Sequence, residues 1–400
     1  MATLYFDFRD IPRSARLGWA GKKMWVGFCG IAISYVGYWI LTYVALLSAG
    51  ANTFGKLWDT YGLFPEADVG TFTWYSCVIY ALGLIFVVAV LMLTATMISK
   101  IAYQQLKDDE FYSIEDSRKF LRKSWKAALL SPLALLLMIV FFIACGIIIG
   151  ILARYIPYVG EIGFSLFMLF IFSVSLVAVF LMVIFGFSFI LSPAVVGTTG
   201  EDTMETITQL FSTVWNQPWR LIIYEAWLKG ILSVAVFVLS AFSVGSLRLV
   251  DWACGLFMGD KLAGMTRTAL FYLPAQEGWA QTCLQWVSGS WIFGPSLVSA
   301  GTAGDIGGTV LWSGRILAIM LLVLMGFILS YCMSSFICGQ TLIYIALRKK
   351  KDDENLLERK EEEEEEPWRP PEEEERGEEA EKPEGEEESS ASEEGTENKK

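Results

Sequence analysis

Residues 113–132 read SIEDSRKFLRKSWKAALLSP, and residues 133–153 continue LALLLMIVFFIACGIIIGILA. The first block has the form of a helix start. Ser113, with Asp116 three positions on, matches a capping box, in which side-chain oxygens bond backbone N–H groups that have no partner inside the helix. Phe120, Leu121, Trp125 and Leu129 then alternate at helical spacing with Arg118, Lys119, Arg122 and Lys126. Such a helix is expected to lie in the headgroup layer, with Trp125 as an interfacial anchor. The second block carries no charge from Leu133 to Ala153 and is long enough to cross a hydrocarbon core of about 30 Å. Pro132 is expected to break or kink the chain between the two.

The pattern recurs along the chain. Thr199-Gly200-Glu201-Asp202 leads to Phe211 and Pro218, offset by 86 from the first block throughout. A weaker copy, Asp7-Phe8-Arg9-Asp10, leads to Trp19, with Arg16 and Trp19 matching Arg122 and Trp125 at an offset of 106. The expected helix caps are therefore Asp7 and Asp10, Ser113 and Asp116, and Thr199 and Asp202. The expected interfacial anchors are Trp19, Trp125, Trp215 and Trp219. Repeats of this kind describe an architecture in which one supersecondary unit is reused.

The expected fold class is all-α: a polytopic integral membrane protein with six transmembrane helices. The apolar runs are Met24–Ala49, Thr73–Ile98, Leu133–Ala153, Gly163–Leu191, Trp219–Val244 and Ile316–Leu347. They pair into three related repeats, each an amphipathic interfacial helix plus a transmembrane hairpin. Repeat 1 covers residues 1–98, repeat 2 covers 99–193, and repeat 3 covers 194–347 with a long outer loop at 245–315. Residues 348–400 are expected to form a disordered acidic tail.

The charges sort by region. Of the net −12, residues 348–400 contribute 24 acidic and 11 basic residues, so the membrane body is nearly neutral. Lys and Arg number 24 in segments 1–23, 99–126, 194–220 and 348–400, against six in the intervening loops. By the positive-inside bias both termini are expected in the cytoplasm. The chain has no Asn-x-Ser/Thr sequon, which suits a bacterial cytoplasmic membrane.

The chemistry is mostly defined by what is missing. There is no histidine, no Cys-x-x-Cys and no phosphate-binding Gly-x-x-x-x-Gly-Lys-Ser/Thr. Imidazole acid–base catalysis and His-dependent metal or haem ligation are excluded. Catalytic, cofactor-binding and metal-ligating residues are therefore expected to be absent. Five of the six spans have no Asp, Glu, Lys or Arg in their interiors; the fifth has Glu225 and Lys229 four positions apart. They read either as a polar pair lining a pathway or as a local helix pair whose lysine snorkels to the interface. Cys254 and Cys283 fall in the outer loop as a candidate disulfide, the alternative being two separate thiols. Gly146 and Gly150 have the spacing that permits close helix approach.

These readings favour a non-enzymatic scaffold or accessory subunit that organises lipids or other membrane-protein subunits, with the acidic tail free to meet a basic cytosolic partner. The alternative is a transporter or permease-like component for an apolar or lipid-like substrate. Basic residues interleaved with aromatics beside a membrane are read as lipid-facing, so no nucleic-acid partner is expected.

Overall fold

The computed structural model describes residues 4–50, 54–63, 65, 72–109, 111–155, 159–272, 308–353 and 355–358. The described residues contain helices and no strands. A single 3-10 turn, Phe8–Asp10, precedes eleven α-helices among them. In chain order these are α1 (Arg13–Gly18), α2 (Gly21–Ser48), α3 (Phe54–Tyr61), α4 (Trp74–Leu106), α5 (Ile114–Tyr155) and α6 (Val159–Leu166). They continue with α7 (Met168–Thr199), α8 (Thr203–Asn216), α9 (Pro218–Met258), α10 (Asp260–Tyr272) and α11 (Gly308–Asp352). Six of them, α2, α4, α5, α7, α9 and α11, are long and apolar enough to cross a membrane.

The helices outrun the apolar segments that define the spans. α5 has 42 residues, so it extends about 63 Å, twice the hydrocarbon thickness. Pro132 does not break it. The lead-in and the span form one continuous helix, with Pro132 inside it on a buried face. There Ser131 and Ser192 share a hydrogen bond of 2.6 Å, so Ser131-Pro132 of α5 faces Ser192-Pro193 of α7. In contrast, Pro218 occupies the first turn of α9, where its missing N–H costs nothing, and Gln217 at φ −136° separates α8 from α9.

The three lead-ins accordingly take three shapes. After Asp7 comes a 3-10 turn and a six-residue helix. After Ser113 the chain is helical without interruption to Tyr155. Beyond Thr199 stands a separate 14-residue helix. The expected 245–315 outer loop is also shorter than the sequence suggested. Residues 245–258 continue α9, which stops only at Gly259, whose φ of +49° ends the helical run, and α10 packs back on the start of α11. Residues 273–307 lie outside the described residues, and with them Cys283. The acidic region too begins later than expected. Residues 348–352 belong to α11, and beyond it Leu356 and Leu357 are buried while Leu356 O accepts from Tyr103 Oη at 2.6 Å. The chain divides after Glu358; residues 359–400 lie outside the described residues.

Helix contact follows small residues. On α2, a Cβ at Gly30 would meet Thr94 of α4 at 2.3 Å, and one at Gly37 would meet Phe86 at 2.1 Å. On α7, a Cβ at Gly197 would lie 2.6 Å from Ser99 Cβ and 3.0 Å from the Lys100 backbone nitrogen. By contrast, Gly146 and Gly150 of α5 face open space, so their spacing serves no close approach among the described residues. In the connection between α2 and α4, Tyr35, Tyr38 and Tyr43 donate to the Leu63, Pro65 and Gly62 carbonyls at 2.6, 3.0 and 2.6 Å.

Gly197→Val should lower thermal stability in detergent by the cost of overpacking, about 1–3 kcal/mol. Gly146→Val should leave the unfolding temperature of the isolated chain unchanged. Equal effects of the two substitutions would contradict this packing.

Candidate functional site

The polar chemistry gathers at the end of the bundle where the first and last described segments meet. Here α11 from Ser330 to Leu347 is buried along most of its length, against α1, α2, α4, α7, α8 and α9. Its Ser334 Oγ donates to the Gly18 carbonyl at 3.0 Å and Tyr331 Oη to the Ala15 carbonyl at 3.3 Å, while Ser330 Oγ donates to the Met24 carbonyl. Deeper in, Ser99 and Thr341 share a hydrogen bond of 2.9 Å. At the rim Lys350 pairs with Asp7 and reaches Tyr224 Oη at 3.3 Å, and Arg348 donates to Gln209.

The expected caps distribute differently from the sequence reading. Ser113 Oγ accepts from the Asp116 N–H at 3.1 Å and donates to Asp116 Oδ2 at 2.6 Å. Thr199 does not cap α8; it is the last residue of α7, because Gly200 at φ +69° closes that helix, and Asp202 stands at the α8 N-cap without a side-chain bond. Asp7 stands at the start of the 3-10 turn, likewise without a cap bond, its carboxylate being taken by Lys350. Asp10 lies inside that turn, buried, 3.3 Å from Arg13. The four tryptophans Trp19, Trp125, Trp215 and Trp219 are all exposed at this end, at 42–75%. On α5 the buried stripe is instead made of small residues, Ser117, Ser124, Ala128 and Ser131.

Glu225 and Lys229 make no ion pair within 4 Å, although Lys229 stands near enough to act electrostatically on the carboxylate. Glu225 is 5% exposed and turns toward Gln340 of α11, whereas Lys229 is exposed. Four residues turn a helix through 400°, and the packed stripe Leu221, Tyr224, Glu225, Leu228 ends before Lys229. Both carboxylate oxygens of Glu225 and both amide heavy atoms of Gln340 are buried without a hydrogen bond of good geometry. Cys254 lies exposed toward the far end of α9; its candidate partner Cys283 is outside the described residues. No group of three or more Cys, Asp or Glu side chains gathers among the described residues in a way that could hold a metal ion.

Two cavities adjoin this layer. One, of about 330 Å³, lies between α7 and the α8–α9 junction and is lined only by apolar and aromatic side chains, among them Phe180, Phe187, Trp215 and Leu221. Its rim is an aromatic cluster in which Phe211 stacks on Trp215 and Phe180 meets both rings edge-on. The other, of about 340 Å³, lies between the start of α2 and the end of α4, with Lys22, Lys23 and Gln105 in its wall. Lys23 is fully buried, and its Nζ donates to Gln105 Oε1 at 2.7 Å. Sequence reasoning missed this contact, since the two residues are 82 positions apart. It also missed the facing prolines, although Leu-Ser-Pro occurs at both 130–132 and 191–193.

Six membrane-crossing helices around a polar layer at one end define the class: an all-helical multipass membrane protein. Comparison with protein-family models, with curated proteins and with solved structures finds no match to this chain.

Two measurements probe the layer. Glu225→Gln should leave the unfolding temperature unchanged or raise it, because it removes a buried charge and places an amide donor beside Gln340. A fall of more than about 5 °C would mean that the carboxylate is held by a bond this geometry lacks. The hydrogen bond from Lys350 holds the Asp7 carboxyl below its ordinary value of 3.8; Arg9 and Arg220 act the same way, against some desolvation. A lowered carboxyl stabilises the fold above its ordinary value, and that contribution is lost as pH falls through the lower folded value. Hydrogen exchange of residues 4–18, corrected for intrinsic rate, should therefore rise below about pH 4 in the wild type. In Asp7→Asn it should be raised at every pH, without the step.

Proposed function

We propose that this protein is a non-enzymatic multipass scaffold or accessory subunit that organises other membrane proteins and lipids. The observation that supports it is the uneven burial of the spans. Of the most apolar 18 residues of α9, 6% are buried inside the chain, and of those of α5, 11%, against 33% in α2. Leu137, Phe141 and Ile148 of α5 and Val234, Phe242 and Leu249 of α9 all stand outward. Gly146 and Gly150 sit in that open face of α5, at a spacing that admits a second helix closely. Apolar faces in a bilayer are satisfied by lipid, and association there rests on packing and small residues.

In this reading the three hairpins α2/α4, α5/α7 and α9/α11 are copies of one module. Supporting it are the motif spacing and the short helix that each carries at its outer turn: α3, α6 and α10. Both termini face the cytoplasm of a bacterial inner membrane, on the Lys and Arg distribution. The acidic composition of residues 359–400 suits a basic cytosolic partner; nucleic acid is not a partner.

A second reading is favoured by the apolar cavity at the α7–α9 opening. Its volume falls at the low end of the range for small-ligand sites, and its lining suits an acyl chain. The protein would then be a transporter or permease-like component for an apolar or lipid-like substrate.

Affinity isolation of the full chain from native membranes in mild detergent separates the two. The scaffold reading expects a stoichiometric membrane partner whose recovery drops severalfold with Gly146→Leu/Gly150→Leu. A chain that purifies alone and moves a fluorescent lipid between leaflets after reconstitution would replace it with the second reading. Loss of that flux in Glu225→Gln would tie it to the buried acid.

A further inference from the structure

Between α9 and α11 a carboxylate and an amide are buried together with their polar atoms unsatisfied. Glu225 is 5% exposed and Gln340 is 1% exposed, and the two side chains face each other. The helices meet closely at this level: a Cβ at Gly339, beside Gln340, would come within 2.2 Å of Leu228, one turn on from Glu225 along the packed face of α9. Oε1 and Oε2 of Glu225, with Oε1 and Nε2 of Gln340, have no hydrogen bond of good geometry. The oxygens are acceptors, and only the amide nitrogen donates. Turning the amide brings its N–H groups to the carboxylate. It leaves the Gln340 oxygen without a donor and the negative charge without a counter-charge.

The surrounding packing does not supply that charge. Lys229 acts on the carboxylate from an exposed position on α9 itself, beyond 4 Å. Tyr224, next to Glu225, holds Lys350 at its Oη, and Lys350 in turn pairs with Asp7. Tyr344, one turn beyond Gln340 on α11, is a fully buried titratable group. Among the described residues, α1, α8 and α10, which also pack on α9, bring no charged group to the carboxylate. A buried charge so placed is strongly unfavourable unless an ion of opposite sign accompanies it.

We propose that Glu225 and Gln340 form a binding site for one small monovalent cation, a proton or an alkali-metal ion, between α9 and α11. Either ion neutralises the carboxylate and occupies the orphaned amide oxygen. A proton on one carboxyl oxygen donates to Gln340 Oε1 while the amide N–H donates to the other carboxyl oxygen, a closed pair of bonds that satisfies every atom. An alkali-metal ion takes the carboxylate and amide oxygens as ligands. An acid within an apolar span is the side chain that such ion sites are built on. The site uses none of the outward residues of α5 and α9 and its test measures neither partner recovery nor flux, so it stands or falls apart from both readings of the function.

The test uses the full chain purified in a neutral detergent, with choline chloride as the background salt. Unfolding temperature is followed against pH and, at fixed pH, against sodium, potassium or lithium chloride. An ion that binds the folded state stabilises it by mass action. A proton site makes the wild type gain stability relative to Glu225→Gln as pH is lowered over about pH 5–9, a range in which Asp7 stays charged; the gain is lost as pH rises. An alkali-metal site makes that gain follow salt concentration and saturate at constant pH. Dicyclohexylcarbodiimide gives a second readout. One of its nitrogens takes the carboxyl proton and its central carbon bonds the carboxyl oxygen, leaving a mass tag on the peptide that holds Glu225. Labelling that declines as pH rises, indifferent to salt, assigns the proton; saturable protection by one of the salts assigns the metal ion. Lys229→Gln removes the competing positive charge and should tighten binding severalfold, moving both readouts to higher pH or lower salt. If Glu225→Gln does not fold, labelling and Lys229→Gln carry the test. The proposal is overturned if wild type and Glu225→Gln keep parallel pH and salt profiles, if labelling of Glu225 responds to neither, or if Lys229→Gln leaves both readouts where they were.

Discussion

The polar, small-residue end of α11 is the surface on which the rest of the molecule depends. Within hydrocarbon, one apolar helix gains nothing from touching another that lipid would not give it. Close approach and hydrogen bonds must decide where helices meet. From Ser330 to Thr341, α11 supplies both. Ser334 accommodates α1 by bonding the Gly18 carbonyl, and Thr341 bonds Ser99 of α4. Gly339 leaves room for Leu228 of α9, where a Cβ would come within 2.2 Å of the Leu228 side chain. Substituting large apolar residues for these small ones would make the span more apolar and still lose the fold, because the contacts depend on absent volume and on the hydroxyl bonds.

That dependence explains what could be read in the sequence. The six spans were legible because an uninterrupted apolar run of that length has few other physical uses. Their ends were not, because a helix does not stop at the edge of the hydrocarbon. It stops where the backbone is turned, at Gly200 and Gly259 here, and both lie beyond the apolar runs. The capping pattern located helix starts near residues 114 and 203, but a start carries no information about length. The same residue type in equivalent places then did opposite things: Pro132 is absorbed inside α5, and Pro218 opens α9. The difference lies in what packs beside each proline, which a single repeat alignment does not contain.

The site was partly legible for the same reason. Glu225 stands out in any reading as an acid inside an apolar run. Its relation to Lys229 was a statement about one helix, while its burial is set by the rotation of α9 against α11. Lys23 was invisible in a different way. It sits in a basic lead-in where every lysine looks like an interfacial charge, and only the approach of Gln105 from α4 takes it out of water. A charge in such a segment tells which face of the membrane it belongs to, not whether it is solvated.

Structural strength and free surface are therefore divided along the membrane normal. The end that joins residues 4–23 to residues 330–358 carries the Ser99–Thr341, Ser334–Gly18 and Lys23–Gln105 bonds, a second set that includes Ser48–Ser76 lies at the opposite end of α2 and α4, and the mid-span faces of α5 and α9 are apolar and outward. A bundle that needed to enclose a hydrophilic pathway would place its polar groups along the axis, since a crossing solute must be solvated throughout. Polar groups stacked at one level instead fix the relative rotation of helices, much as a single buried polar residue fixes register in a coiled coil. With rotation fixed at one end, the outward faces of α5 and α9 are presented at set angles without any contact between their outer halves being required. On the scaffold reading proposed above, a second helix would be received on these faces without reorganising the receiver, most of the ordering cost of association being met by the fold beforehand.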